Sequence, residues 1–126
     1  MEHKFRAWDT TTDNTRMINW DELQTFPIYS VFIPLSRELH LMQFTGLKDK
    51  NGKEIYEGDT AKVILPMGGF WGDIKTYKIG FVKWNEDRCR FMVEWRWSKN
   101  QHHIDLNCDL DIEVIGNIYE NPELLK

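Results

Sequence analysis

Apolar and polar residues alternate through most of this chain, and turn-forming residues separate the alternating runs. Phe5-Arg6-Ala7-Trp8 and Arg16-Met17-Ile18-Asn19-Trp20 flank Asp9 to Thr15, a polar tract of Thr, Asp and Asn. The pattern predicts a hairpin with a long turn, in which Trp8 and Trp20 serve as cross-strand anchors. Asp21 is the expected cap of a short helix through Glu22, Leu23 and Gln24, which Pro27 ends early. Ile28 to Arg37 favours extended backbone, but Pro27 and Pro34 confine it to an edge strand or a connection. Leu39 to Thr45 reads as a strand and Asn51-Gly52 as a tight turn, because Gly tolerates positive φ and Asn nearly does.

From Tyr56 onward the alternation becomes a meander of short strands. They are expected over Thr60 to Leu65, Thr76 to Trp84, Cys89 to Trp97 and Ile112 to Tyr119. In the second, Tyr77, Ile79 and Phe81 share one face, opposite Val82 and Trp84. In the third, Cys89, Phe91, Val93, Trp95 and Trp97 share the apolar face, opposite Arg90, Met92, Glu94 and Arg96. Pro66 to Gly72 and Ser98 to His103 read as loops, Asn85 to Arg88 as a turn, and Asn121-Pro122-Glu123 as a helix start. Short strands at close spacing predict a mainly β fold (α+β at most): an SH3-like barrel with an N-terminal hairpin-containing subdomain. Residues 1–55 would form the hairpin and connecting region, and 56–126 the barrel with a short C-terminal helical turn. Together they would make one compact unit.

Composition fits this picture. The 126 residues suit one domain whose core needs no metal or disulfide, and six Trp among 13% aromatics indicate a folded chain. Cys89 and Cys108 make no disulfide framework, the start Met1-Glu2-His3-Lys4-Phe5 has no apolar signal region, and no run is long enough to span a bilayer. The expectation is a cytoplasmic protein with reduced thiols. A net charge of −4 argues against blanket binding of phosphate backbone or anionic membrane, while leaving room for a local basic site.

Three segments carry a family resemblance. Lys4-Phe5-Arg6-Ala7-Trp8-Asp9, then Gln43-Phe44-Thr45-Gly46-Leu47-Lys48-Asp49-Lys50-Asn51-Gly52-Lys53-Glu54-Ile55-Tyr56-Glu57-Gly58-Asp59, then Val114-Ile115-Gly116-Asn117-Ile118-Tyr119-Glu120-Asn121-Pro122 resemble the YopX family, in the family's order and across essentially the whole chain. The resemblance implies a β-rich fold with an SH3-like part and a phage or prophage origin, in the cytoplasm of a bacterial host. It brings no biochemical activity with it.

Candidate chemistry is sparse. Cys89, Cys108, His102 and His103 lack the close Cys pair and spaced His pair of a zinc site; a Cys89 buried on the strand's apolar face and two solvated loop histidines is the simpler reading. Ser30, Ser36 and Ser98 sit in no nucleophile elbow, and the glycines of residues 68–72 precede no phosphate-binding Lys-Ser/Thr. Among Asp49, Glu54, Glu57 and Asp59 an acid–base pair is conceivable, but Glu57-Gly58-Asp59 reads more simply as a turn with Asp59 bonding backbone amides. Lys48, Lys50 and Lys53 crowd one loop, and Arg88, Arg90 and Arg96 lie near Trp84, Trp95 and Trp97, the ingredients of a single-strand-binding barrel. Against it, Trp95 and Trp97 share the core face of Phe91 and Val93, and neighbouring carboxylates dilute the cations. Phe70 and Trp71, on a Gly-rich loop, are candidate interface residues. The expected protein is a non-enzymatic interaction module without metal or cofactor, binding a phage or host protein or a copy of itself. The alternative is a nucleic-acid-binding accessory factor of phage replication or regulation.

Overall fold

The structure, a computed structural model, describes residues 3–10, 15–26, 39–67, 74–97 and 99–125. β1 (Phe5–Asp9), β2 (Arg16–Ile18), β3 (Leu39–Lys48) and β4 (Glu54–Tyr56) form one antiparallel sheet in the order β2-β1-β3-β4. β5 (Asp59–Met67), β6 (Ile74–Asn85), β7 (Arg90–Trp97), β8 (Asn100–Asp105) and β9 (Asp111–Asn117) form a second, in the order β8-β7-β6-β5-β9. β5 to β8 follow one another, and β9 returns to lie beside β5. This is the mainly β, SH3-like arrangement that the meander predicts. A four-residue helix, α1 (Trp20–Leu23), and a C-terminal 3-10 turn (Pro122–Leu125) complete the described elements.

The inward positions of the second sheet make one core. Ala61 and Val63 of β5, Val82 of β6, Phe91 and Val93 of β7, and Ile112 and Val114 of β9 are buried together. β4 contributes Ile55 to the same cluster, although its backbone belongs to the other sheet. β-branched side chains dominate because they fill a pleated, curled surface well. A smaller cluster of Ala7, Ile18 and Leu23 lies beneath α1, with Phe5, Trp20, Phe26, Leu39 and Leu41 around it.

Several elements differ from their sequence-based expectation. Asn19, not Asp21, caps α1: its backbone is extended and its side chain accepts the Glu22 amide at 3.0 Å. β2 ends at Ile18, and the cap Asn19 separates it from Trp20. Trp20 therefore opens the helix and packs on Phe5 at 6.1 Å, while Met17 stands opposite Trp8. Pro66 lies inside β5, opposite Lys75. Pairing to β9 has already ended at Ile64, so among the described residues no strand on that side requires a proline N–H. Ser98 to His103, expected as a loop, contains most of β8, whose polar side chains hid an edge strand that needs no apolar face. Ile28 to Arg37, and Phe70 and Trp71 with most of the loop they occupy, lie outside the described residues.

Cys89 is the clearest correction. It is exposed, with a φ of +52°, in the β6–β7 turn, and its thiol donates to the Glu86 carbonyl. Asn85 pairs with Arg90, so the first inward side chain of β7 is Phe91 and Cys89 never enters the sheet. The left-handed residue needed to close this turn fell on Cys89, which its place in an apolar alternation could not reveal.

Two glycines test this backbone. A Cβ on Gly80 would lie 2.4 Å from the Glu94 carbonyl oxygen on β7, whereas a Cβ on Gly52 meets nothing within 4 Å but sits at a φ of +81°. We expect Gly80→Ala to lower unfolding free energy by about 3 kcal/mol, the upper end for overpacking. Gly52→Ala should cost about 1 kcal/mol from backbone strain alone. Urea denaturation of the two variants measures the difference.

Candidate functional site

The six candidate cations do not converge. Lys48 ends β3, and Lys50 and Lys53 lie on the exposed turn to β4. That turn covers β9, with the Lys50 amide donating to the Ile112 carbonyl. Arg88 and Arg90 flank the β6–β7 turn, and Arg96 stands near the far end of β7. In the strand order of the sheet, β7 is separated from β9 by β6 and β5. Several of the charges are already compensated. Lys50 lies 3.6 Å from Glu113, and Arg90 and Arg88 share Asp105 at 2.7 and 3.9 Å.

Trp84 and Trp95 are equally dispersed, and the side chain of Trp97 lies outside the described residues. Trp95 is half-buried against the barrel core, as its alternation indicates, and stacks on His102. Trp84 is 38% exposed and packs edge-on against Phe91. Neither forms a continuous platform with the arginines. Among the described residues, no three His, Cys, Asp or Glu side chains gather as a metal site would require, and Cys89 and Cys108 are both exposed.

The carboxylates hold the fold together. Asp59 is buried at the start of β5, where it accepts the Tyr56 amide at 2.8 Å and pairs with Arg6 of β1. The Arg6 guanidinium also lies 4.6 Å above the Tyr56 ring. Burial pushes the Asp59 carboxyl above its ordinary range, opposed by Arg6 and the Tyr56 amide. Asp49 behaves the other way. Burial raises it, but amides of Val114, Lys53 and Asn51 outweigh that effect and hold it below the usual range. Glu54 pairs with Lys4, and the Glu57 amide donates to the Gln43 carbonyl. The turn reading of Asp59 holds for its amide bond. Arg6 was missed; its polar place in the Phe5–Trp8 alternation was the available signal.

A groove that the sequence did not single out lies over the second sheet. Ile79 and Phe81 of β6, Glu94, Trp95 and Arg96 of β7, Gln101 of β8, and Leu125 of the C-terminal turn line a space of about 340 Å³. Ile79 and Phe81, from the run Tyr77, Ile79, Phe81, supply much of the apolar character here. It faces away from the core of Val82 and Val93, and Tyr77 is 57% exposed. Arg96 alone of the candidate cations lines this groove.

The family described as YopX protein matches residues 4–126, a span that holds every residue placed above. The chain belongs to the YopX family. None of the curated proteins matches it. It is similar to the crystal structure of protein EF1440 from Enterococcus faecalis, with 21% identity over 100% of this chain and 99% of that one, at a TM-score of 0.44.

For this YopX-family protein the Arg6–Asp59 pair gives a direct test. Arg6→Met strands a buried carboxylate and should cost about 3–5 kcal/mol. Asp59→Asn strands the guanidinium and should also be destabilising. The double variant Arg6→Met/Asp59→Asn should lose less than the sum of the two, and a double-mutant cycle by urea unfolding reads that coupling.

Asp49 makes a pH-dependent contribution whose sign follows from its depressed carboxyl. The folded state favours the ionised form, so the stabilisation is present above the unfolded value of about 4 and is lost as pH falls through the lower folded value. The gap between wild type and Asp49→Asn should therefore be widest near neutral pH and should narrow in acid. Asp59, common to both proteins, cancels from this comparison. Urea midpoints measured across the acid range check it.

Proposed function

We propose that this YopX-family protein is a phage- or prophage-encoded, non-enzymatic module that binds another protein in the cytoplasm of a bacterial host. The observation that carries the reading is the groove over β6, β7 and β8. Its apolar side chains, Ile79, Phe81 and Leu125, lie beside Glu94, Arg96 and Gln101, which can fix the orientation of a bound segment. Leu125 is 37% exposed at its rim. A partner's apolar side chain entering there would remove both surfaces from water. Protein is favoured over nucleic acid because Arg88 and Arg90 are already engaged by Asp105 and Lys50 by Glu113. Phosphate contacts would first have to displace those carboxylates.

The test is affinity capture from phage-carrying cells, with and without nuclease, comparing wild type with Leu125→Asp. A protein partner retained after nuclease, with recovery reduced about tenfold by Leu125→Asp, supports the reading; tenfold corresponds to the contact of one apolar side chain. Recovery that disappears with nuclease and ignores Leu125→Asp would transfer the function to nucleic-acid binding.

A further inference from the structure

Among the described residues the two sheets have four edges, and three are blunted. β2 and β4 are each three residues long. β9 is covered along its outer side: the Lys50 amide donates to the Ile112 carbonyl, and the Val114 and Asn117 amides donate to the side chains of Asp49 and Asn121. β8 is different. It pairs with β7 over six consecutive positions, from Met92 opposite Asp105 to Trp97 opposite Asn100, without a register shift. It contains no proline and no lysine, the usual protections of an edge strand.

The hydrogen-bonding phase of this edge can be read from one contact. The Leu106 amide donates to the Phe91 carbonyl at 3.0 Å. Antiparallel pairs alternate between bonded and non-bonded positions. Asn100, His102 and Ile104 therefore turn their backbone groups toward β7, and Gln101, His103 and Asp105 turn theirs outward. Of the outward groups, the Asp105 carbonyl accepts the Asn107 side-chain amide. The Gln101 and His103 amides and carbonyls have no partner among the described residues.

We propose that β8 is a self-association edge, pairing antiparallel with β8 of a second copy about a two-fold axis through His102. This inference rests on the edge and not on the proposed use of the groove. An isologous contact is required because the opposite edge of the same sheet, β9, is occupied and cannot accept β8 from a neighbour. The axis at His102 places Gln101 opposite His103 of the other copy, so the outward groups of both residues are satisfied twice over. It also sets Lys99 beside Asp105 of the other copy at each end, where Lys99 would join Arg88 and Arg90 around that carboxylate. The two His102 residues meet at the axis as a non-bonded pair, each ring already stacked on its own Trp95 at 6.1 Å. Their Cα atoms would be about 4.5 Å apart, close enough for a disulfide between cysteines placed there.

The experiment uses the full chain with Cys89→Ser and Cys108→Ser, which removes the two exposed native thiols. His102→Cys in that background should form a covalent dimer on mild oxidation, much faster than Lys83→Cys at an exposed position of β6. Sedimentation equilibrium of the wild type should show a concentration-dependent dimer, and Gln101→Pro, which removes one outward donor, should shift it to monomer. A wild type that stays monomeric at every concentration overturns the proposal, as does a dimer indifferent to Gln101→Pro. Crosslinking at residue 102 no faster than at residue 83 overturns it too, and remains informative if the proline variant fails to fold. Leu125→Asp should leave the dimer intact, so failure of the edge and failure of the groove give different results.

Discussion

Asp59 begins β5 with 1% of its surface exposed, and its carboxylate is held by an arginine from the other sheet and by the amide of Tyr56. The two sheets, which also share the barrel core through Ile55 of β4, meet at this point. A charge so deeply buried is tolerable only with its partner in place, so the position of β1 against the barrel is set by a requirement more exacting than apolar contact. Around the pair, Trp8 of β1 and His40 of β3 stack on Tyr119, and Met42 packs against Gly58. The Gly58 amide donates to the Val82 carbonyl. The stacking of Trp8 and His40 on Tyr119 joins the first sheet to the segment that follows β9, and the Gly58 bond to Val82 extends the pairing of β5 with β6.

Asp49 is the second organising carboxylate. It closes its own turn through the Asn51 and Lys53 amides and reaches β9 through Val114, a residue 65 positions away. One side chain thus shapes the β3–β4 connection and covers an edge of the barrel sheet. Asn117 and Asn121 act similarly at the C-terminus. Asn117 accepts the Tyr119 and Glu120 amides, and Asn121 accepts the Asn117 amide, which fixes the chain's exit toward the 3-10 turn. That exit brings Leu125 to the groove over β6 to β8. The polar residues that finish the fold also delimit the surfaces left for binding.

The alternation of residues 56–119 was sufficient to place β5, β6, β7 and β9 and to put Phe91, Val93 and Trp95 on the apolar face of β7, because side-chain direction in a strand follows from backbone geometry alone. Asn51-Gly52 and Asn85 likewise announced turns through their own local chemistry. The segments resembling the YopX family include Arg6, Asp49 and Asp59, yet no pattern in the sequence links them. Asp49 and Val114, or Arg6 and Asp59, are joined only once the chain has folded.

Sequence alone determined what depends on neighbouring residues: the mainly β class, the order of the meander, its principal turns and the family. Tertiary structure decided what depends on distant ones. It assigned β8 to an edge where polar residues are stable, placed Cys89 in a turn, divided the cations between different parts of the barrel, and turned Ile79 and Phe81 toward a groove closed by Leu125. The physical reason is that alternation fixes which side chains share a face of a strand, while only the packing of strands and sheets fixes what that face meets.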